Sequence, residues 1–248
     1  MALPPAGDIA FVVAGALAGG FVNGLTGTGY ALVSLGFWLQ AMSPVHAAPL
    51  VALCSVLGHV QSLPSIWHGV RWPRLWPFLV AGLLGVPLGT MMLERVPVPS
   101  LKLGVGLLLI FYSSWMGLVR RPPVIKGGGR IADATAGFIG GVMGGMASLS
   151  GPAPVIWVQL RGWPRDEQRG VNQPFNMAIL ATALVSAAVA GLLDRQYLIW
   201  AAIALPTTIA GARLGLFLYA RIGDLGFRRL VLVLLGFSGV SLIVTGLR

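Results

Sequence analysis

Residues 131–160 read IADATAGFIGGVMGGMASLSGPAPVIWVQL, an apolar stretch that is too long and too often interrupted to form one straight transmembrane helix. A helix needs about 20 apolar residues to cross a bilayer. Glycine and hydroxyl residues interrupt this stretch across residues 140–152, which predicts a broken segment. A second stretch of this kind covers residues 9–42 and is interrupted by NGLTGTG at residues 23–29. The predicted architecture is built around these two stretches.

The composition indicates a membrane protein. The chain has 248 residues, of which 56% are hydrophobic and 10% are charged, whereas soluble domains carry about 25% charge. The run from Ile9 to Val70 contains no charged residue. The net charge of +10 does not indicate nucleic-acid binding, because the basic residues occur in ones and twos between apolar runs. We therefore expect a lipid bilayer, and no nucleic acid, as partner.

Two further absences bear on the kind of protein. Cys54 is the single cysteine, so neither an intramolecular disulfide nor a multi-cysteine metal site can form, and we expect no metal and no cofactor. The N-terminal residues lack a basic region and a small-residue cleavage site, so we expect the first apolar segment to be retained.

The chain repeats itself. The stretch RRPPVIKGGGR at 120–130 combines clustered charge, Pro-Pro and triple glycine, which predicts a linker between halves 1–119 and 131–248. The matching stretches are 14–19 with 136–141 and 28–31 with 150–153 at an offset of 122, and 85–89 with 211–215, followed by Arg95 and Arg221, at an offset of 126.

The predicted fold is an all-α polytopic membrane protein in which each half has a broken segment followed by three transmembrane helices. We expect the broken segments to have arms of about 13 residues, roughly 20 Å long. The predicted spans are 46–68, 74–93 and 100–119 in the first half, and 170–192, 196–218 and 227–246 in the second.

The basic residues favour one of two topologies. If both broken segments crossed the bilayer, eight basic residues would lie on each side. If both are re-entrant hairpins, the halves are inverted repeats, and twelve basic residues share one side against four on the other. The positive-inside rule favours the second arrangement. It predicts a multi-pass protein of the inner (plasma) membrane with both termini outside the cytoplasm.

The two breaks predict an anion site. Irregular backbone at membrane depth persists only where protein or water surrounds it. We expect Thr28 to cap a helix that begins near Tyr30, and Ser150 to cap one with Pro152 in its first turn. Two such helix starts near the bilayer midplane attract an anion without any lysine. The candidate substrate-binding residues are Asn23, Thr26, Gly27, Thr28, Gly29, Ser148, Ser150, Gly151, Asn172, Gln173 and Asn176.

Each of these features also has a purely structural interpretation. The glycines near the breaks either shape a site or only allow close helix packing. The amides around Pro174 either bind an oxyanion or tie helices together. His59 either bonds a neighbouring helix or carries a proton, and Arg213 either contacts an anion or reaches the membrane surface.

An enzyme is not expected. The sequence at 148–151, SLSG, has serine where a serine hydrolase needs the first glycine, and no span holds an aspartate to support a base. The three histidines, at positions 46, 59 and 68, are spaced too far apart to predict a zinc site.

These residues together resemble the TauE/SafE family of sulfite exporters. The resemblance implies export of a small sulfur-containing anion such as sulfite, sulfoacetate or a related organosulfonate. Members usually carry a glycine triplet in the first break, where this chain has Gly27-Thr28-Gly29-Tyr30. The resemblance rests on four motifs, which are Ala18-Gly19-Gly20 to Thr28-Gly29, Gly140-Gly141 to Ser150-Gly151-Pro152, Gly85 to Arg95 and Gly211 to Arg221.

Export needs no coupling ion on physical grounds. Moving one negative charge out of a negative-inside cell is favoured by about 2.3 kcal/mol per 100 mV. Proton-coupled uptake would need a titratable carboxylate in a span, yet Asp133 and Glu94 lie at segment edges. We therefore expect potential-driven export. The alternatives from other classes are an anion channel and a membrane scaffold that transports nothing.

Overall fold

The computed structural model describes residues 5–26, 29–93, 95–119, 123–125, 127–219 and 224–247, and all regular structure within them is helical. The described residues form ten α-helices and a 3-10 turn at Trp67–Gly69. The α-helices are α1 (Ala6–Thr26), α2 (Tyr30–Ala41), α3 (Pro44–Ile66), α4 (Trp72–Leu93), α5 (Val98–Leu118), α6 (Gly129–Ala147), α7 (Pro152–Leu160), α8 (Arg165–Val189), α9 (Arg195–Tyr219) and α10 (Asp224–Gly246).

Four of these helices contain stretches long and apolar enough to cross a membrane, and these lie in α1, α4, α5 and α9. Shorter apolar stretches lie in α2, α3 and α10. The expectation of a helical, multi-pass membrane protein is confirmed, and the six helices predicted after the breaks begin and end within about five residues of the expected positions. The bounds of the apolar stretches are Ala6–Gly24, Trp72–Leu93, Val98–Leu118 and Arg195–Gly215, then Tyr30–Ala41, Pro44–Val60 and Leu235–Gly246.

The first broken segment is a helical hairpin. The hydroxyl of Ser34 donates to the carbonyl of Gly15 at 3.1 Å, and the indole of Trp38 donates to the carbonyl of Val12 at 3.0 Å. A later residue on α2 therefore meets an earlier residue on α1, so the two arms run antiparallel. The chain returns towards the end of the bundle from which it entered.

The second broken segment has the same form. Ser150, before α7, lies against Gly144 on α6, while Trp157 further along α7 donates to the carboxylate of Asp133 at 2.7 Å. These contacts make α6 and α7 antiparallel. The arms have 21 and 12 residues in the first hairpin and 19 and 9 in the second, so the expected length of about 13 residues holds for α2 and is wrong for the other three arms.

The breaks are also shorter than expected. Helix α6 continues through the glycines at 140–145 to Ala147, and α1 continues to Thr26. These glycines stay helical because they are packing positions: a Cβ on Gly141 would lie 2.7 Å from the Cα of Gly82 on α4. Glycines allow helix backbones to approach closely in membranes.

Each hairpin packs along a helix of the other predicted half. On α1, Gly20 lies against Thr208 and Gly24 against Ala212, so α1 and α9 run parallel. The same contacts recur between α6 and α4, which also run parallel. Gly141 of α6 occupies the position that Gly20 has on α1. The two glycines are 121 positions apart in the sequence, one fewer than the offset of 122 between the halves.

The remaining long helices pair with their counterparts in an antiparallel sense. At the end of α3, Gly69 lies against Asp166 near the start of α8, while Ala48 near the start of α3 lines a small cavity with Ala187 near the end of α8. Helices α5 and α10 are likewise antiparallel. We call the end of the bundle where α3 begins the first end, and the end where it finishes the second end.

Helix α3 lies in the interior. It contacts helices α1, α2, α6, α8 and α9. Its residues from Ala47 to Ser55 are buried, except for Leu53, which is partly buried. It therefore forms one wall for the residues that surround both breaks.

Candidate anion-binding site

Helix α2 begins halfway along the bundle. Gly19 of α1 lies against Tyr30, the first residue of α2, and the next residue, Gly20, packs on Thr208 in the middle of α9. The hydroxyl groups of Tyr30 and Thr208 are 2.7 Å apart. The start of α2, with its unpaired N–H groups and partial positive charge, is therefore inside the protein.

Helix α7 also begins halfway along the bundle. Ser150 lies against Gly140 and Gly144 of α6, and Gly141 packs on Gly82 in the middle of α4. Pro152 occupies the first turn of α7, as predicted. Its missing N–H costs nothing at this position, because the first N–H groups of a helix have no intrahelical partner.

The predicted capping role of Ser150 is not what the structure has. The residue that caps α7 is Gly151, and the Ser150 hydroxyl instead donates to Oδ1 of Asn176 at 2.7 Å. The capping prediction for Ser150 is therefore wrong, because a partner on α8 satisfies the hydroxyl. Gly29, with φ of 95°, precedes α2. Gly27, Thr28 and the side chain of Thr26 lie outside the described residues.

The three amides predicted around Pro174 are buried on one helix. Helix α8 continues through the proline, so Asn172 and Asn176 share a face, as expected. The exposed fractions are 7% for Asn172, 2% for Gln173 and 5% for Asn176. Ser150, Gly151 and Asn176 form one cluster, since a Cβ on Gly151 would lie 3.6 Å from Nδ2 of Asn176.

Several buried polar atoms around the breaks have no hydrogen-bond partner among the described residues. They include Oδ1 of Asn172 and Oε1 of Gln173 on α8. Near the first break, Asn23 of α1 packs against Gly58 of α3. The Oδ1 atom of Asn23 and the Ser55 hydroxyl also have no hydrogen-bond partner among the described residues. A primary amide presents either its oxygen or its NH2 group after rotation, so these side chains can donate to an oxyanion.

Ser148 has a different role from the other predicted residues. It ends α6 in the left-handed conformation, with φ of 55°, and its hydroxyl donates to the carbonyl of Ala48 at 2.6 Å. This bond anchors the tip of the second hairpin to α3. Ser148 is fully buried and its side chain already has an acceptor.

The sequence did not single out the cluster of Tyr30, Thr208 and Cys54. Cys54, in the middle of α3, is within hydrogen-bonding reach of Tyr30. The available signal was the position of Tyr30 at the start of the half-helix, but Thr208 is 178 residues away in sequence. Arg213 is exposed on α9 and does not belong to this cluster.

The named residues of the site are uncharged, so their attraction for a ligand comes from dipoles. Each of the two helix starts is accompanied by buried amide or hydroxyl groups, and the described polar residues named above are each less than a tenth exposed. Such an arrangement binds anions through N–H and O–H donors instead of through lysine or arginine. A bound ligand would be enclosed.

Comparison with known proteins identifies the family. No curated protein and no solved structure gave a match to the chain. The family model described as "Sulfite exporter TauE/SafE" matches residues 11–242, nearly the whole chain. The match begins within α1 and ends within α10, so it includes parts of both hairpins and of all six helices that follow them. The resemblance seen in the glycine motifs is thereby confirmed, and the chain belongs to the TauE/SafE sulfite exporter family.

Proposed function

We propose that this protein transports small sulfur-containing anions, such as sulfite, sulfoacetate or a related organosulfonate, across the plasma membrane. The observation that carries the proposal is that α2 and α7 both begin halfway along the bundle in a member of an exporter family. Discontinuous helices that present their N-termini at mid-depth are a typical way for transporters to bind anionic groups.

The chemistry of the clusters suits a sulfur oxyanion. Such a ligand offers several oxygen acceptors and at least one negative charge. Each helix start contributes about half a positive charge, and the side chains of Ser150, Asn172, Gln173 and Asn176 offer donors on the α7 side. Asn23 offers one on the α2 side. A buried site strengthens these interactions because water does not screen them.

The helix directions support an inverted repeat with halves 1–119 and 131–248 joined by 120–130. In two halves of the same orientation, α3 would run parallel to its counterpart α8, and α5 to α10. Both pairs are antiparallel. The contacts between α1 and α9 recur between α6 and α4, as a two-fold relation between the halves requires.

The placement of basic residues supports an orientation. Helices α4 and α6 start at the second end, where Arg71, Arg74, Arg130 and Arg161 also lie. We infer that this end faces the cytoplasm, because basic residues are retained on that side. Both termini then lie outside, at the first end, where α1 begins.

The burial of the site supports alternating access over an open channel. Ser150 is 1% exposed and Gln173 is 2% exposed, so a ligand can enter and leave only after the helices move. A rearrangement of one half against the other would open the site to one side at a time. Export of an anion is then driven by the membrane potential.

Thermal stabilisation of the purified protein tests the ligand class. At a concentration of about 100 Kd, a ligand adds about 2.7 kcal/mol to the free energy of unfolding, which corresponds to a rise in Tm of about 5 to 10 °C. We expect this rise with sulfite or sulfoacetate and not with chloride or acetate. N176D, which places a negative charge beside Ser150, should abolish it.

The matched control is S113A, because Ser113 bonds only the carbonyl of Ile110 on α5 among the contacts described. It should leave the ligand effect unchanged. If no sulfur anion raised the Tm of the unsubstituted protein, or if N176D kept the full effect, the proposed site would be wrong. Efflux from proteoliposomes that was insensitive to an imposed potential would overturn the electrogenic mechanism.

A further inference from the structure

Two acid–base pairs occupy matching positions in the two halves. His46 is the third residue of α3, and its Nε2 lies 3.1 Å from both carboxylate oxygens of Asp194, which directly precedes α9. Glu167 is the third residue of α8 and pairs with Arg71, which directly precedes α4, and with Arg74 in the first turn of α4. In the first pair the helix α3 carries the base, and in the second pair the helix α8 carries the acid.

The two pairs lie at opposite ends of the bundle. The start of α3 defines the first end, so the His46–Asp194 pair lies there. Helix α8 begins at the second end, where Asp166 meets Gly69 at the end of α3, so the Glu167–arginine pair lies at that end. Each pair also joins a residue of the first half to a residue of the second half.

The pairs are accessible to water, whereas the polar clusters between them are not. The exposed side-chain fractions are 17% for His46, 51% for Asp194 and 20% for Glu167. Between the two ends, Cys54 in the middle of α3 is 0% exposed and Asn176 in the middle of α8 is 5% exposed. The two acid–base pairs therefore lie on either side of a buried polar interior.

The structure shows what borders each end. A small cavity towards the first end is lined by Ala48, Thr90, Ser148 and Ala187. At the second end, the turn that follows α3 is in backbone contact with α8, because a Cβ on Gly170 would collide with Gly69.

We propose that these two acid–base pairs are the gates of the transporter, the His46–Asp194 pair closing the first end and the Glu167–arginine pair closing the second. The assignment rests on the proposed transport function. Because each pair spans the two halves, rocking one half against the other breaks one pair while the other holds. The structure, with both pairs formed and the interior buried, is the occluded state of this cycle.

Cys54 is a native reporter for the gates, since it is the single cysteine and lies between them. We would measure its modification by an anionic methanethiosulfonate reagent in right-side-out and inside-out membrane vesicles. D194N weakens the first gate and E167Q the second, each with little change in volume. D166N, which removes the neighbouring charge on α8, is the matched control, and C54S reports unspecific labelling.

D194N should raise the rate of Cys54 modification about fivefold from the first end only, and E167Q should raise it about fivefold from the second end only. Fivefold is the factor for about 1 kcal/mol, the upper value for an exposed ion pair. D166N should change neither rate. Equal acceleration from both ends would overturn the gate assignment.

A second reporter covers the case in which the reagent does not reach the Cys54 thiol. S150C in the C54S background places the thiol on the second hairpin, and it should give the same sidedness; unchanged rates with both reporters would reject the gates. No cargo is needed for these measurements. Sided labelling without flux in proteoliposomes would refute transport but keep the gates, whereas flux without sided labelling would refute the gates alone.

Discussion

Replacing Gly141 with alanine should destabilise the protein although alanine is the better helix former. Gly141 lies on α6 against Gly82 of α4, and an added Cβ would lie 2.7 Å from both the Cα and the carbonyl carbon of Gly82. These atoms belong to helix backbone and cannot rotate away. The two helices must therefore separate by several tenths of an ångström along the whole contact.

The expected magnitude follows from two opposing terms. Overpacking of this kind costs typically about 1–3 kcal/mol. Alanine in a helix interior recovers about 0.5–1 kcal/mol relative to glycine. The net loss is centred on about 1 kcal/mol and reaches about 2.5 kcal/mol at most, and each kcal/mol corresponds to a fall in Tm of roughly 2–4 °C for a chain of this size.

Thermal unfolding followed by tryptophan fluorescence in detergent measures this effect. G20A, at the equivalent position of α1 against Thr208, should lose a similar amount. The control is G104A on α5, where nothing lies within 4 Å of the added Cβ, and it should be at least as stable as the unsubstituted protein. If G141A and G20A both matched G104A, the close approach of the helices would be refuted.

Three further substitutions test individual contacts. A hydrogen bond from the backbone N–H of Tyr197, followed by the neighbouring histidine, lowers the pKa of Asp194 below its usual value of 3.8. The carboxylate therefore stabilises the protein above about pH 4 and loses this effect as the pH falls through the folded-state pKa, so the Tm difference between D194N and the unsubstituted protein should vanish in acid. W157F removes the donor to buried Asp133 and should lower the free energy of unfolding by about 1–3 kcal/mol in denaturant titrations; an unchanged midpoint would contradict the bond. Y30F removes a buried hydroxyl bond to α9 and should lower the free energy of unfolding by about 1 kcal/mol. An unchanged free energy of unfolding would mean that this bond is absent.

The positions of the helices could be predicted because they depend on local composition. Uncharged runs separated by one or two basic residues place α4, α5 and α9 within a few residues of their bounds. The asymmetry of the basic residues favoured hairpins, and the antiparallel contacts of Ser34 with Gly15 agree with it. Both signals are contained in short stretches of sequence.

The extent of the breaks could not be predicted, because glycine has two opposite roles. It weakens a helix, but it also lets a second helix approach closely. Only the partner decides between these roles, and the partner of Gly141 is Gly82 in the other half. The sequence therefore suggested an interruption across residues that are helical.

The side-chain roles at the site were predicted only in part. Ser150 was identified as a site residue, but its acceptor on Asn176 comes from another helix 26 residues later. The bond between Tyr30 and Thr208, and the pairing of His46 with Asp194, also join residues more than 100 positions apart. No short motif specifies contacts that depend on how the halves are oriented.

The pairing of α1 with α9 delays the packing of α1 during synthesis of the chain. About 170 residues separate the end of α1 from the start of α9, and at about 5–20 residues per second a ribosome needs roughly 10–30 s to make them. During that interval the face of α1 that carries Gly20 and Gly24 lacks its partner α9. Lipid, or an assisting insertase, must cover it until the last quarter of the polypeptide has been delivered.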